Sequence, residues 1–191
     1  MTLYLVRHGQ SLANLQGIVC GQLDSALSAL GIEQAQKLRH YFRNQKINFQ
    51  YCYSSPLQRA LSTAKILVDQ HIEVSGALME FNTGSDSQKT TKQLHQGNPA
   101  FACHGKTPNL HYTDGESLID LHTRVQIWYR QHLQEISCTE NILIVSHWST
   151  LNLVAQEALM LPVQYFPIIN FQNAVPYILN FDLFQGKYLL N

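Results

Sequence analysis

Apolar runs in this chain alternate with stretches whose apolar residues recur at helical spacing. Leu3-Tyr4-Leu5-Val6, entered from Thr2, is a continuous apolar run that predicts a buried strand, and it ends at Arg7-His8-Gly9. A loop rich in glycine and polar residues follows, through Asn14, Gly17, Gly21 and Asp24. A helix is predicted from Ser28 as N-cap, with Ile32, Ala35, Leu38 and Phe42 as its apolar stripe. A second strand is predicted near Phe49 to Ser54. Ser55-Pro56 then reads as an N-cap and first helical residue, ahead of an apolar face of Leu57, Ala60, Leu61, Ala64 and Leu67.

From Asn82 to Asp114 the pattern fades into Ser, Thr, Gln, Asn, Gly and His. A long irregular stretch inside a compact domain is more often functional than idle. Periodicity returns from about Ser117, with Leu118, Leu121, Val125, Trp128 and His132 or Leu133 on one face. A third strand, Asn141 to Ser146, leads into His147 and a helix predicted over 150–161. The alternation of Tyr177, Leu179, Phe181 and Leu183, with a turn at Gln185-Gly186-Lys187, predicts a closing edge hairpin. Strands alternating with helices predict an α/β fold of three α/β/α layers around a mainly parallel central sheet. There is no internal repeat or clean linker. One domain is expected over 1–191, with 82–114 as a cap or specificity segment.

Composition narrows this further. Length 191 supports one sizeable core, and 45% hydrophobic against 14% charged residues excludes a disordered chain. Thirteen basic residues balance thirteen acidic ones, so no nucleic-acid surface is expected. No apolar stretch reaches membrane-span length, and Arg7 interrupts the early apolar run that a secretory leader would need. Cys20, Cys52, Cys103 and Cys138 form no C-x-x-C pair and read as reduced thiols, so a cytoplasmic location is expected.

The candidate chemistry sits at strand ends, where open α/β sheets bind ligands. Arg7 and His8 end one strand, His147 another, and Arg59 opens the helix after a third. A cation in a first helical turn opposes the helix dipole, so Arg59 reads as placed for a ligand. Two histidines and two arginines make a phosphate pocket with a nucleophile in it. Gly105-Lys106-Thr107 ends only a relaxed phosphate-loop pattern, hemmed by Pro99 and Pro108, and is set aside. The nine histidines show no zinc spacing, and His95, His104 and His111 are read as solvent-exposed.

The motifs resemble one family, in its order, from residue 3 to about residue 179. Arg7-His8-Gly9 with Asn14 and Gly21 is similar to the opening signature of the histidine phosphatase superfamily, the phosphoglycerate mutase-like proteins. Asp24 to Ala35 resembles its D-x-x-L-[ST]-x-x-G-x-x-Q-A segment, and Ser54 to Ala60 with Thr63-Ala64 its second signature. Leu78-Met79-Glu80-Phe81-Asn82-Thr83-Gly84 is similar to its acid-bearing loop. Gly115-Glu116-Ser117, Val145-Ser146-His147 and Asn173-Ala174-Val175 complete the set.

The resemblance implies a phosphoglycerate mutase-like fold and a role for each residue. His8 would be the nucleophile that forms a phosphohistidine, which requires a neutral imidazole. Arg7 and Arg59 would hold the phosphoryl oxygens, and His147, as a cation, would complete the clamp. Glu80 would protonate the leaving oxygen and then activate water, its protonated form favoured by a phosphoryl anion beside it. Asn14, Gly21 and Trp148 complete the phosphate- and substrate-binding set. No metal or cofactor is required by this scheme. Gly115 and Glu116 are read as structural, with Glu116 in the first turn of the following helix.

Two positions depart from the family pattern. Trp148 follows the second histidine, where a small residue is usual, which predicts an indole over the pocket mouth. The acid loop continues as Ser85-Asp86-Ser87-Gln88 rather than with a further glutamate and glycine. The expected function is hydrolysis of a small phosphorylated metabolite. Sugar phosphates, phosphoserine, α-ribazole phosphate and nucleotide-like esters are all open. A phosphoglycerate mutase-type phosphotransferase, or a non-catalytic phosphate- or protein-binding module that kept the pocket, are the alternatives.

Overall fold

The structure is a computed structural model. It describes residues 1–97, 107–136, 139–182 and 187–190, with only the backbone described at His95, Asp182 and residues 187–190. Cys103, Cys138, His104, the Gly105-Lys106 pair and the 183–186 part of the expected turn lie outside the described residues.

A six-stranded sheet has the order β3-β2-β4-β1-β5-β6, from β1 (Thr2–Arg7), β2 (Tyr51–Ser54), β3 (Glu73–Val74), β4 (Asn141–Ser146), β5 (Pro176–Asp182) and β6 (Lys187–Leu190). The four strands from β3 to β1 run parallel, whereas β5 and β6 join antiparallel as the expected closing hairpin. The continuous apolar runs of β1 and β4 follow from burial on both faces. Leu3, Leu5, Ile142 and Ile144 face one core, filled by α5 (Leu118–His132) and α6 (Trp148–Ala158). Tyr4, Val6, Leu143 and Val145 face the other, filled by α2 (Ala29–Asn44) and α3 (Gln58–Leu67). This is the expected α/β/α arrangement.

The topology positions the site. β1 and β4 are adjacent, yet the helices that follow them, α2 and α6, pack on opposite faces. Their carboxyl ends therefore border a crevice, the switch point at which such sheets bind ligands. In this parallel register Arg7 lies beside Ser146, and the His8 amide extends the ladder to the Ser146 carbonyl at 3.0 Å. His8 and His147 are thereby placed side by side.

Ser28 caps α2 as predicted and Ser117 caps α5, each accepting from an amide three residues on. Local departures have tertiary causes. Ile32 is exposed and Gly31 takes its place on the buried face of α2. A methyl group on Gly31 would meet the Gln10 carbonyl oxygen at 2.1 Å, so only glycine lets the helix rest on the loop after His8. Ser55 is not a cap: α3 starts at Gln58 behind Leu57, and the Ser55 hydroxyl turns elsewhere. The helix predicted over 150–161 begins two residues earlier, directly after His147. Within the segment expected to be irregular, Gly84–Asp86 forms a 3₁₀ turn and Thr91–Gly97 a helix, α4, whereas the short α1 (Leu12–Leu15) precedes α2.

Candidate active site

A cavity of about 760 Å³ opens at the carboxyl ends of β1 and β4, with Arg7, His8, Asn14, Gly21, Arg59, Glu80 and Trp148 in its walls. His147 lies behind His8, ring centroids 5.2 Å apart. Every site residue expected from the sequence is thus gathered at one place. A cavity of similar size between α5 and α6, about 790 Å³, is lined by His122 and Arg130 but by none of Arg7, Arg59, His8 and His147.

His8 is held from all sides. Its backbone carbonyl accepts from Asn173 Nδ2 at 2.7 Å, and the Gly9 amide donates to Thr63 Oγ1 at 3.0 Å. Its Nδ1 lies 2.7 Å from the Gly9 carbonyl, a contact that is a hydrogen bond only when Nδ1 carries the proton. The lone pair then sits on Nε2. Burial first, then Arg59 and Arg7, pushes the imidazole pKa well below its ordinary value, so His8 is neutral. A neutral imidazole with a free Nε2 lone pair is a nucleophile.

Arg7 donates to the Phe171 carbonyl at 3.0 Å. Arg59 donates to the Gly21 and Leu23 carbonyls at 2.7 and 2.8 Å. Gly21 has a left-handed φ of 51°, and a methyl group there would meet Thr83 Oγ1 at 2.4 Å. Its observed part in the site is to orient Arg59. Burial lowers the pKa of both guanidinia and Glu80 opposes that shift, which places the carboxylate in reach of both charges. Asn14 spends Oδ1 on the Ser11 amide at 3.2 Å within the capping box of α1, leaving Nδ2 as its donor end.

Glu80 sits at the start of α6, Oε2 accepting from the Ser149 amide at 3.4 Å and Oε1 from the Phe81 amide at 2.9 Å. The helix dipole favours a carboxylate there. Its carbonyl accepts from Gln22 Nε2 and Arg124 Nη2, each at 3.0 Å. Arg124 also forks onto Glu116 at 2.8 and 3.1 Å and reaches the Ala77 carbonyl at 2.6 Å. Glu116 precedes the Ser117 cap rather than lying in the first turn of α5. It ties Arg124 and the Asn82 amide to the acid loop. Arg124 had no signal in the sequence, because the contact spans 44 residues.

His147 differs from expectation. Burial, then Arg59, His8 and Arg7, pushes its pKa well below the ordinary value, so the free pocket holds a neutral imidazole and not a cation. Its tautomer follows from counting donors. Nε2 is 2.8 Å from Ser55 Oγ, which also accepts from the Leu57 amide at 3.2 Å. The hydroxyl proton satisfies Nε2, and the imidazole proton then sits on Nδ1. Nδ1 is buried without a partner, as is Arg7 Nε. Buried donors rarely go unpaired, and these two suit the oxygens of an anion.

Trp148 opens α6 at the cavity wall, Nε1 donating to Asn170 Oδ1 at 3.3 Å and the ring meeting Phe166 edge to face at 5.7 Å. His111 is exposed and lies 3.4 Å from Asp120. Cys20 and Cys52 are free thiols.

A nucleophilic histidine between guanidinia at the switch point of an α/β sheet defines a phosphoryl-transfer enzyme. The chain belongs to the histidine phosphatase superfamily (branch 1), whose sequence profile matches residues 3–190. It is 29% identical over 170 residues to the adenosylcobalamin/α-ribazole phosphatase of Escherichia coli (strain K12), covering 86% of this chain and 82% of that one. It is 31% identical over 159 residues to the 2,3-bisphosphoglycerate-dependent phosphoglycerate mutase of Bartonella tribocorum, covering 78% and 77%. The α-ribazole phosphatase structure from Shigella flexneri superimposes with a TM-score of 0.82 at 26% identity, covering 100% of this chain and 95% of that one.

Proposed function

We propose that the chain hydrolyses small phosphate monoesters through a phosphohistidine on His8, in the cytoplasm and without a metal. His8 carries the reading: a neutral imidazole with Nε2 available, in a pocket where Arg7 Nε and His147 Nδ1 are buried and unpaired. In the first step Nε2 attacks phosphorus and the bond to the ester oxygen breaks, with Glu80 giving that oxygen a proton. In the second, Glu80 takes a proton from water as its oxygen attacks the phosphohistidine. Phosphate leaves and His8 is restored. Arg7, Arg59, Asn14 and the Nδ1–H of His147 hold the transferring oxygens.

We take residues 1–191 as one domain, with 82–114 as its cap. The Val19 amide donates to the Lys89 carbonyl at 3.0 Å and the Gln88 amide to the Val19 carbonyl at 2.8 Å, which straps the cap to the pocket loop. No helix among the described residues is long and apolar enough to cross a membrane.

The test is p-nitrophenyl phosphate hydrolysis in EDTA, wild type beside His8→Ala. Loss of turnover by roughly 10³-fold or more in a folded variant is expected. Turnover retained by His8→Ala overturns the reading. A wild type silent on this ester that passes a phosphoryl group between phosphoglycerates is a mutase.

A further inference from the structure

Resting on the phosphatase reading, the outer wall of the pocket bears on what departs with the ester oxygen. The two guanidinia of the cavity belong to its buried end, and both already serve backbone carbonyls. Outward, the described lining is Ile18, Val19, Thr91, Trp148 and Asn170, none of which carries a charge. Lys89, whose backbone pairs with Val19, turns its Nζ to Asp86. Against these described residues a carboxylate on the departing alcohol would leave water and meet no cation, and such uncompensated burial is costly.

Trp148 supplies what the wall offers instead. It follows His147 directly, so the indole stands one residue from the phosphoryl clamp, pinned by Asn170 and Phe166. A pinned aromatic ring beside amide and hydroxyl groups suits the apolar face and hydroxyl rim of a flat, neutral ring.

We propose that Trp148 selects monoesters of uncharged, ring-bearing alcohols, a sugar or nucleoside 5′-phosphate, over phosphorylated carboxylic acids. The experiment is kcat/KM for ribose 5-phosphate, adenosine 5′-monophosphate, sn-glycerol 3-phosphate, phosphoserine and 3-phosphoglycerate, with glycerol phosphate as the ring-free reference and p-nitrophenyl phosphate, itself a ring-bearing ester, only to show that the wild type turns over. Wild type, Trp148→Gly and Trp148→Phe are compared. Wild type should favour the ring-bearing esters over both acids by about tenfold or more. Trp148→Gly should cut the preference for ring-bearing esters over glycerol phosphate by about tenfold, through KM, and Trp148→Phe should keep it. Ribose phosphate matching adenosine monophosphate locates the recognition in the sugar ring; a large excess for the nucleotide locates it in the base. Acids turned over as well as ring esters by the wild type, or equal losses on ring-bearing esters and glycerol phosphate in Trp148→Gly, overturn the proposal while wild-type turnover of p-nitrophenyl phosphate upholds the phosphatase reading. Silence on every ester, p-nitrophenyl phosphate included, overturns the phosphatase reading and this proposal with it.

Discussion

Ser55→Ala tests the assignment of the proton on His147. Ser55 and His147 are fully buried, and their contact of 2.8 Å is the partner His147 Nε2 has. Removing the hydroxyl leaves two poor options. With the proton kept on Nδ1, Nε2 is a buried acceptor without a donor. With the proton moved to Nε2, Nδ1 turns a lone pair toward the phosphoryl oxygens. An unmade buried hydrogen bond costs about 1–3 kcal/mol, which at about 1.36 kcal/mol per decade is a loss of roughly 5- to 150-fold in kcat/KM. The same hydroxyl accepts from the Leu57 amide ahead of α3, so activity alone would not separate the two roles. The ¹⁵N shifts of the His147 ring do. Wild type should show a protonated Nδ1 and a bare Nε2, and Ser55→Ala a mixture. A wild-type proton on Nε2, or a folded Ser55→Ala with unchanged kcat/KM, refutes the assignment.

Two further outcomes follow from the same geometry. Glu80→Gln should slow alkyl phosphates at least about tenfold more than p-nitrophenyl phosphate, whose leaving group needs little protonation, and equal losses on both count against the acid role. In the folded state burial and the neighbouring arginines hold His8 and His147 well below the ordinary histidine pKa, while in the unfolded chain both titrate near about 6.5. Below that pH the unfolded chain binds more protons, so stability is full above about pH 6.5 and falls with acidification by about 1.36 kcal/mol per pH unit for each histidine. Calorimetric Tm values against pH should show the decline, halved in His8→Gln, and a flat profile from pH 6.5 to 5 would contradict it.

How much was legible depended on the range of the interaction. β1, β4 and the Ser28 cap are declared by local signals, an apolar run or a capping serine a few residues from its amide. Ile32 falls on the helical period, yet it gives way to Gly31 because the Gly9–Gln10 backbone presses on that turn, which periodicity does not encode. Ser55-Pro56 has the local form of a helix start, but His147, 92 residues away, competes for the hydroxyl. The candidate site was legible as residue types at strand ends, since the parallel register brings such ends together. The protonation of His147 was not, because it depends on burial and on Ser55. Arg124 has no local signal either: its partners lie on two other stretches, Glu116 on one and Ala77 and Glu80 on the other.

The neutral imidazoles bear on the charge balance of the whole site. Arg7 and Arg59 are buried together, and Glu80 is the carboxylate that offsets both. A monoester brings close to two negative charges at neutral pH. If Glu80 is protonated, ready to act as an acid, the two guanidinia cancel the dianion and nothing is left over. A cationic His147 would add a third positive charge beside His8 and hold its Nε2 lone pair less available. A neutral His147, donating through Nδ1, stabilises the oxygens without that penalty. Among the described residues of the pocket wall the same balance leaves no positive charge for a second anionic group on the substrate, which is why the departing alcohol is expected to be neutral.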